Sequence, residues 1–279
     1  MVKLAGTVGE SIKGNPLDEI LKVRDSKDTV LDNFRLMLVG PPKEGKTFTG
    51  FTASEFYPDK LPAAEMTDLK DLFWCALDSG ALDGAKEQNL SIPHMDLSKV
   101  PGAYIQQAMR AFAEEARKRV EAGITKTVVY DSLTSLDKLL LARLMKDYEK
   151  WGLYQAVLAE HLSVFEMARA LNCNVIFICH GKAVMASEDS SMQTKQIAAG
   201  ITPGTIEMDL SGQIGNFYRG AMSLIMPVAC KGSHGNETYH IYPHGAKGFV
   251  GYSRFASLEK EEPANLRQLF AKIRGNQSR

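Results

Sequence analysis

One stretch constrains this 279-residue chain more than any other: Gly40, Pro41, Pro42, Lys43, Glu44, Gly45, Lys46 and Thr47, with Phe48 directly after. Two glycines enclose four residues and are followed by Lys-Thr, the spacing of a phosphate-binding loop. An apolar run over residues 35–39 leads in, and a helix-like run over 46–56, closed by Pro58, opens at the lysine. In that setting the backbone N–H groups of the loop and the helix N-terminus both face a polyphosphate. Gly45 permits close approach, Lys46 bridges the outer phosphates, and the Thr47 hydroxyl is a ligand for magnesium. Glu44 would repel phosphate if it pointed inward, so it is expected to face solvent or a neighbouring subunit.

The rest of the chain alternates short apolar runs with longer amphipathic ones. Residues 72–77 are strand-like, and 104–122 are helix-like, with Ile105, Met109, Phe112, Ala116 and Val120 on one face. Strand-like residues 127–130, a long helical region over 135–171 and a strand-like run over 175–179 follow. Such alternation predicts a mostly parallel α/β sheet flanked by helices on both faces. Beyond residue 181 the polar stretch 186–215 reads as a long loop. Residues 221–230 and 238–243, joined by 231–236, read as antiparallel hairpin strands. A last amphipathic helix over 263–273 carries Leu266, Leu269, Phe270 and Ile273 on one stripe and ends in a basic tail. The expected division is an N-terminal extension over 1–30, a core over 31–255, and a C-terminal helix and tail over 256–279.

Composition narrows the function classes. With 44% hydrophobic and 24% charged residues the chain can bury a core, so disorder and coiled coil are excluded for the whole. Thirty-three basic and 33 acidic residues cancel, so nucleic-acid binding must be local or depend on assembly. The longest apolar stretch, 221–230, is interrupted by Ser223 and Pro227 and falls short of the roughly 20 residues of a membrane span. Residues 1–14 have no secretory-signal pattern, and Cys75, Cys173, Cys179 and Cys230 form no CxxC pair. No membrane partner and a cytoplasmic location are expected.

A magnesium ion needs a carboxylate at the end of a neighbouring strand, and the 127–130 run delivers Asp131 there. The alternative is that Asp131, or Ser132 after it, caps the next helix. The 175–179 run ends at His180, followed by Gly181 and Lys182, which puts a polar ring where a terminal phosphate would lie. Phe217 and Tyr218 read as core rather than as base-stacking residues. Cys230, His234, His240 and His244 lie close together but match no zinc spacing.

These features resemble the RecA-like P-loop ATPases, and within them phage-encoded core-only recombinases and single-strand annealing ATPases. The resemblance covers roughly residues 36–254: the loop at 40–47, acid-ended strands at Asp78 and Asp131, His180 to Lys182, and a segment over 245–254. It implies an ATPase using ATP and Mg2+ that acts on single-stranded DNA in recombination, annealing or replication. It also implies a homo-oligomer, ring or filament, in the host cytoplasm if the chain is phage-encoded. Separately, the basic end of the last helix, Arg267, Lys272, Arg274 and Arg279, either docks DNA, an adjacent subunit or a single-strand DNA-binding protein, or simply complements the helix dipole. Asp78 would orient the attacking water, with Asp83 as the fallback, and Lys247 and Arg254 would reach a neighbour's phosphates. Asp78 is one methylene shorter than the glutamate usual in that group. The stretch 181–215 lacks the basic excess of a strong nucleic-acid track. The alternative is a nucleotide-gated accessory or loader subunit with little turnover, and a small-molecule kinase on the same scaffold is the third reading.

Overall fold

The computed structural model describes residues 33–183, 206–232, 236–246, 248 and 251–277. It opens with β1 (Arg35–Gly40), whose last five residues are buried, and α1 (Lys46–Phe51) follows the phosphate loop. Next come β2 (Thr67–Asp68), β3 (Leu72–Ala76), α2 (Asp83–Glu87), β4 (Leu90–Ser91) and β5 (His94–Asp96). The long α3 (Ile105–Glu121) leads to β6 (Thr127–Asp131), α4 (Leu133–Leu144), α5 (Lys150–Arg169) and β7 (Asn174–Ala183). The remaining elements are β8 (Ile206–Met208), α6 (Ile214–Ala221), β9 (Leu224–Lys231), β10 (Thr238–Ile241), β11 (Tyr252–Ser253), β12 (Glu262–Pro263) and α7 (Leu266–Gln277).

The main path of the sheet runs β12-β10-β9-β1-β7-β6-β3-β5, with β11 added to β9 and β8 to β7. From β9 to β5 every neighbouring pair is parallel, while β8, β10, β11 and β12 pair antiparallel. Thus β7 stands between β1 and β6, and all the parallel strands end on one edge.

Both faces of the sheet are covered because its inner strands are apolar on both sides. Met37, Val39, Phe73, Cys75, Tyr130 and Phe177 pack against α3, α4, α5 and α6. On that face Phe73, Phe112, Tyr130 and Phe177 form a continuous ladder, with centroid separations of 4.8, 5.2 and 5.0 Å. The opposite face is sealed by α1 and α7: Phe51 lies 5.1 Å from Trp74, and Phe270 stacks on Phe34 at 4.8 Å. The stripe foreseen on the last helix is buried as Leu266, Leu269, Phe270 and Ile273. Burial on this scale is the main favourable term in holding such a sandwich together. No helix among the described residues is long and apolar enough to cross a membrane.

Three expectations are corrected. The helix at the phosphate loop stops at Phe51 rather than at residue 56. There the Thr52 hydroxyl donates to the carbonyl of Thr49 at 2.6 Å and accepts the Leu266 N–H at 2.8 Å, while Ser54 bonds Asp71. Such side-chain bonds compete with helical ones. The long region over 135–171 is two helices, α4 and α5, and Lys150 at the break has φ 48°. The polar stretch 186–215 is not all loop: β8 lies inside it, and α6 begins at Ile214 and ends at Ala221, leaving β9 to start at Leu224. Ile214 and Tyr218 share the buried stripe of α6, a period too short to stand out from the polar residues around it. The proposed extension over 1–30 lies outside the described residues.

Candidate functional site

Gly40 ends β1, and the loop that follows turns through two left-handed positions, Lys43 at φ 68° and Gly45 at φ 83°, before α1 begins at Lys46. A side chain at Gly40 would collide with the β9 backbone, its Cβ lying 2.7 Å from the Val228 carbonyl oxygen. Lys46 is buried, and its ammonium donates to the carbonyls of Gly40 at 2.8 Å and Pro41 at 2.6 Å. Burial holds its pKa below the usual lysine range despite the nearby charges of Asp131 and Asp78. A triphosphate would replace those two carbonyl contacts with stronger charge-assisted ones.

Glu44 is half-buried and engaged by its own chain. Its carboxylate accepts the backbone N–H of Cys230 at 2.6 Å, tying the loop to β9. The expectation that it faces solvent is met only in part, because β9 continues past the end of β1 and presents a free N–H at that height.

Asp131 closes β6, and the peptide joining it to Ser132 is cis. Capping of α4 falls to Ser132, whose hydroxyl accepts from the Ser135 N–H, so the Asp131 carboxylate is left to face the loop. It accepts the Thr47 hydroxyl at 3.1 Å. Burial, and next to it the charge of Asp78, pushes its pKa up to about 7, against the pull of Thr47 and Lys46. A hydroxyl and a buried, strained-for-charge carboxylate converging beside the lysine are the hard oxygen donors that magnesium takes, so Thr47 and Asp131 fit that ion.

Asp78 lies two residues past β3, its N–H on the Asp131 carbonyl at 3.3 Å. One carboxylate oxygen accepts the Ser135 hydroxyl, and the other lies 3.3 Å from His180 Nε2. Burial raises its pKa, but the bonds from His180, Ser135 and Ser132 outweigh that and hold it below the ordinary carboxylate value. His180 is set by its own backbone, whose N–H donates to the Thr134 hydroxyl at 2.9 Å. Asp83 sits on the exposed rim at the start of α2, paired with Lys86 at 3.8 Å.

A cleft of about 610 Å³ joins these parts, with Lys46, Thr47, Asp78, Asp131, His180 and Tyr239 on its walls. Pro42, Lys43, Gly45 and Phe48 line it too. Ser135, Thr134 and Tyr239 had not been singled out from sequence. Arg254 lies at the other end of the sheet: its N–H reaches the Ser223 carbonyl, and Ser223 bonds Arg35 at the start of β1. Lys247 and His234 lie outside the described residues. Phe217 and Tyr218 are packed with Phe165 and Phe177 in the core. His240 pairs with Glu261 and His244 with the Leu258 carbonyl, and the described residues hold no cluster of three or more metal-ligating side chains.

The fold is a mostly parallel sheet with antiparallel C-terminal strands, flanked by helices, with β7 between the loop strand and the carboxylate strand and the glycine-bounded loop at the end of β1. No protein-family model matches the sequence, and no curated protein matches it. Among solved structures, a prototypical ATPase from the type III secretion system of pathogenic bacteria is similar at 11% identity and TM-score 0.43, over 70% of this chain. This chain spans 51% of that ATPase.

Proposed function

We propose that the protein binds ATP with magnesium and hydrolyses it in the cleft at the end of β1. The observation that carries this reading is the convergence of Lys46 and Thr47 at the N-terminus of α1 with Asp131 and Asp78 from the ends of the neighbouring strands β6 and β3. Lys46 and the loop N–H groups hold the outer phosphates, and Thr47 and Asp131 hold the ion, which neutralises charge on the phosphates when bound. Asp78, kept ionised by His180 and Ser135, is too weak a base to take a proton early; it orients the water in line and accepts the proton late. His180 steadies that carboxylate.

At the finer level, the protein is proposed to act on single-stranded DNA as a homo-oligomer in phage-type recombination, annealing or replication. The cations on and beside the ribbon of β7 and β8 are paired, Lys182 on β7 with Asp209 and Arg219 on α6 with Glu207 on β8, so the described part of that ribbon offers little to a phosphate backbone. Support comes from Tyr148 in the turn between α4 and α5 and Trp151 and Tyr154 at the start of α5, all exposed and set among Lys146 and Lys150, an arrangement suited to stacking bases. The accessory-subunit reading with little turnover is favoured by one observation, the full engagement of Asp78 by its own chain.

The test is phosphate release from MgATP by the wild-type chain and Asp78→Asn, with and without single-stranded DNA at several salt concentrations. Turnover that rises with DNA, loses the rise at high salt, and drops by about 100-fold or more in the variant is expected. No release from a protein that binds ATP would select the accessory reading.

A further inference from the structure

The phosphate cleft has two ends, set by the strands on either side of β1. Asp131, Asp78 and His180 stand on the β7 side. On the other side β9 runs parallel to β1 with Pro227 opposite Val39, so residues 229–231 continue beyond the end of β1 and stand beside the phosphate loop. β10 returns antiparallel, and its register sets Tyr239 opposite Cys230.

That register lays the Tyr239 ring against the loop: a Cβ built on Gly45 would lie 2.2 Å from Tyr239 Cδ1. The ring stacks on Phe48 with centroids 5.9 Å apart and planes 7° from parallel. The far edge of Phe48 meets Gly84, where a Cβ would lie 3.0 Å from the Phe48 Cζ. Two partly buried, nearly coplanar-facing rings therefore line the cleft, flanked on both sides by positions without a side chain. Among the described residues the Tyr239 hydroxyl has no hydrogen-bond partner. A pair of aromatic rings partly exposed to the cleft beside strong phosphate donors fits a ligand that is charged at one end and aromatic at the other.

We propose that Tyr239 and Phe48 form the stacking platform for the base of the bound nucleoside triphosphate. This rests on the nucleotide reading above and gives it a direction. The triphosphate crosses the N-terminus of α1 with its terminal phosphate toward Asp78 and its base toward β10.

The test compares the affinities of ATP and tripolyphosphate, each with magnesium, for the wild-type chain, Tyr239→Phe, Tyr239→Leu and Phe48→Leu. ATP binds more tightly than tripolyphosphate to the wild type and to Tyr239→Phe. In both leucine variants ATP affinity falls about 10-fold, as expected for a lost base-aromatic stack, while tripolyphosphate affinity stays the same. Unchanged ATP affinity in the leucine variants, or an equal loss of both ligands, overturns the platform. A wild-type chain that binds neither ligand overturns the phosphate-loop reading itself, and the platform with it.

Discussion

Burial and a neighbouring charge together set the state of the Asp131 side chain. A carboxyl buried beside a second carboxylate keeps its proton to about pH 7, far above an exposed aspartate. Between about pH 4 and 7 the folded chain therefore holds a proton that the unfolded chain has lost, and stability from this group declines as pH rises through that window. In metal-free protein, Asp131→Asn should remove this decline and give a chain more stable than the wild type at pH 8. Denaturant melts at pH 5 and pH 8 measure it; a wild type and variant with the same pH dependence would show that Asp131 is ionised in the fold. At this scale Lys46, Thr47 and Asp131 were legible because a phosphate loop depends on local spacing and a strand end. Glu44 was not. Its partner, the N–H of Cys230, lies 186 residues away, and only the placement of β9 beside β1 brings them together. Tyr239 was hidden for a related reason, since the register of an antiparallel pair decides which ring meets Gly45.

At the scale of elements, the segment following β8 is fastened to the helical layer by a buried polar cluster. The Asp137 carboxylate on α4 accepts the Ser211 N–H and hydroxyl, both at 2.9 Å, and lies 3.2 Å from His161 Nε2 on α5. His161 Nδ1 in turn meets the Tyr218 hydroxyl on α6 at 3.2 Å. With Asp137 and His161 both buried, removing His161 strips the Tyr218 hydroxyl of this partner and leaves the Asp137 carboxylate with the Ser211 bonds alone. His161→Ala is expected to cost about 3 kcal/mol of unfolding free energy; a loss under about 1 kcal/mol would mean that the cluster is not part of what holds these helices. The same cluster lies next to the site, because the Asp209 N–H donates to the His180 carbonyl at 2.7 Å. Elements with strong patterns, α3 and the inner strands, were readable from periodicity. Those that were not, β8 and α6, are short and set among polar residues, so their identity comes from what they pack against.

Over the whole molecule, the parallel order from β9 to β5 gathers the ends of β1, β6 and β7 and the turn after β3 on one edge, and that gathering is what makes a site of residues far apart in sequence. The alternation of strands and helices made this arrangement foreseeable, while the strand order and the direction of β9 depended on pairings between distant segments. The central claim is that a triphosphate is held by the loop at the end of β1. Thermal or denaturant unfolding of the wild type and Lys46→Ala, with and without MgATP, tests it most directly. At 100 times its dissociation constant the nucleotide should stabilise the wild type by about 2.7 kcal/mol. The variant should fold and show no such gain. Equal stabilisation of both proteins would contradict the account.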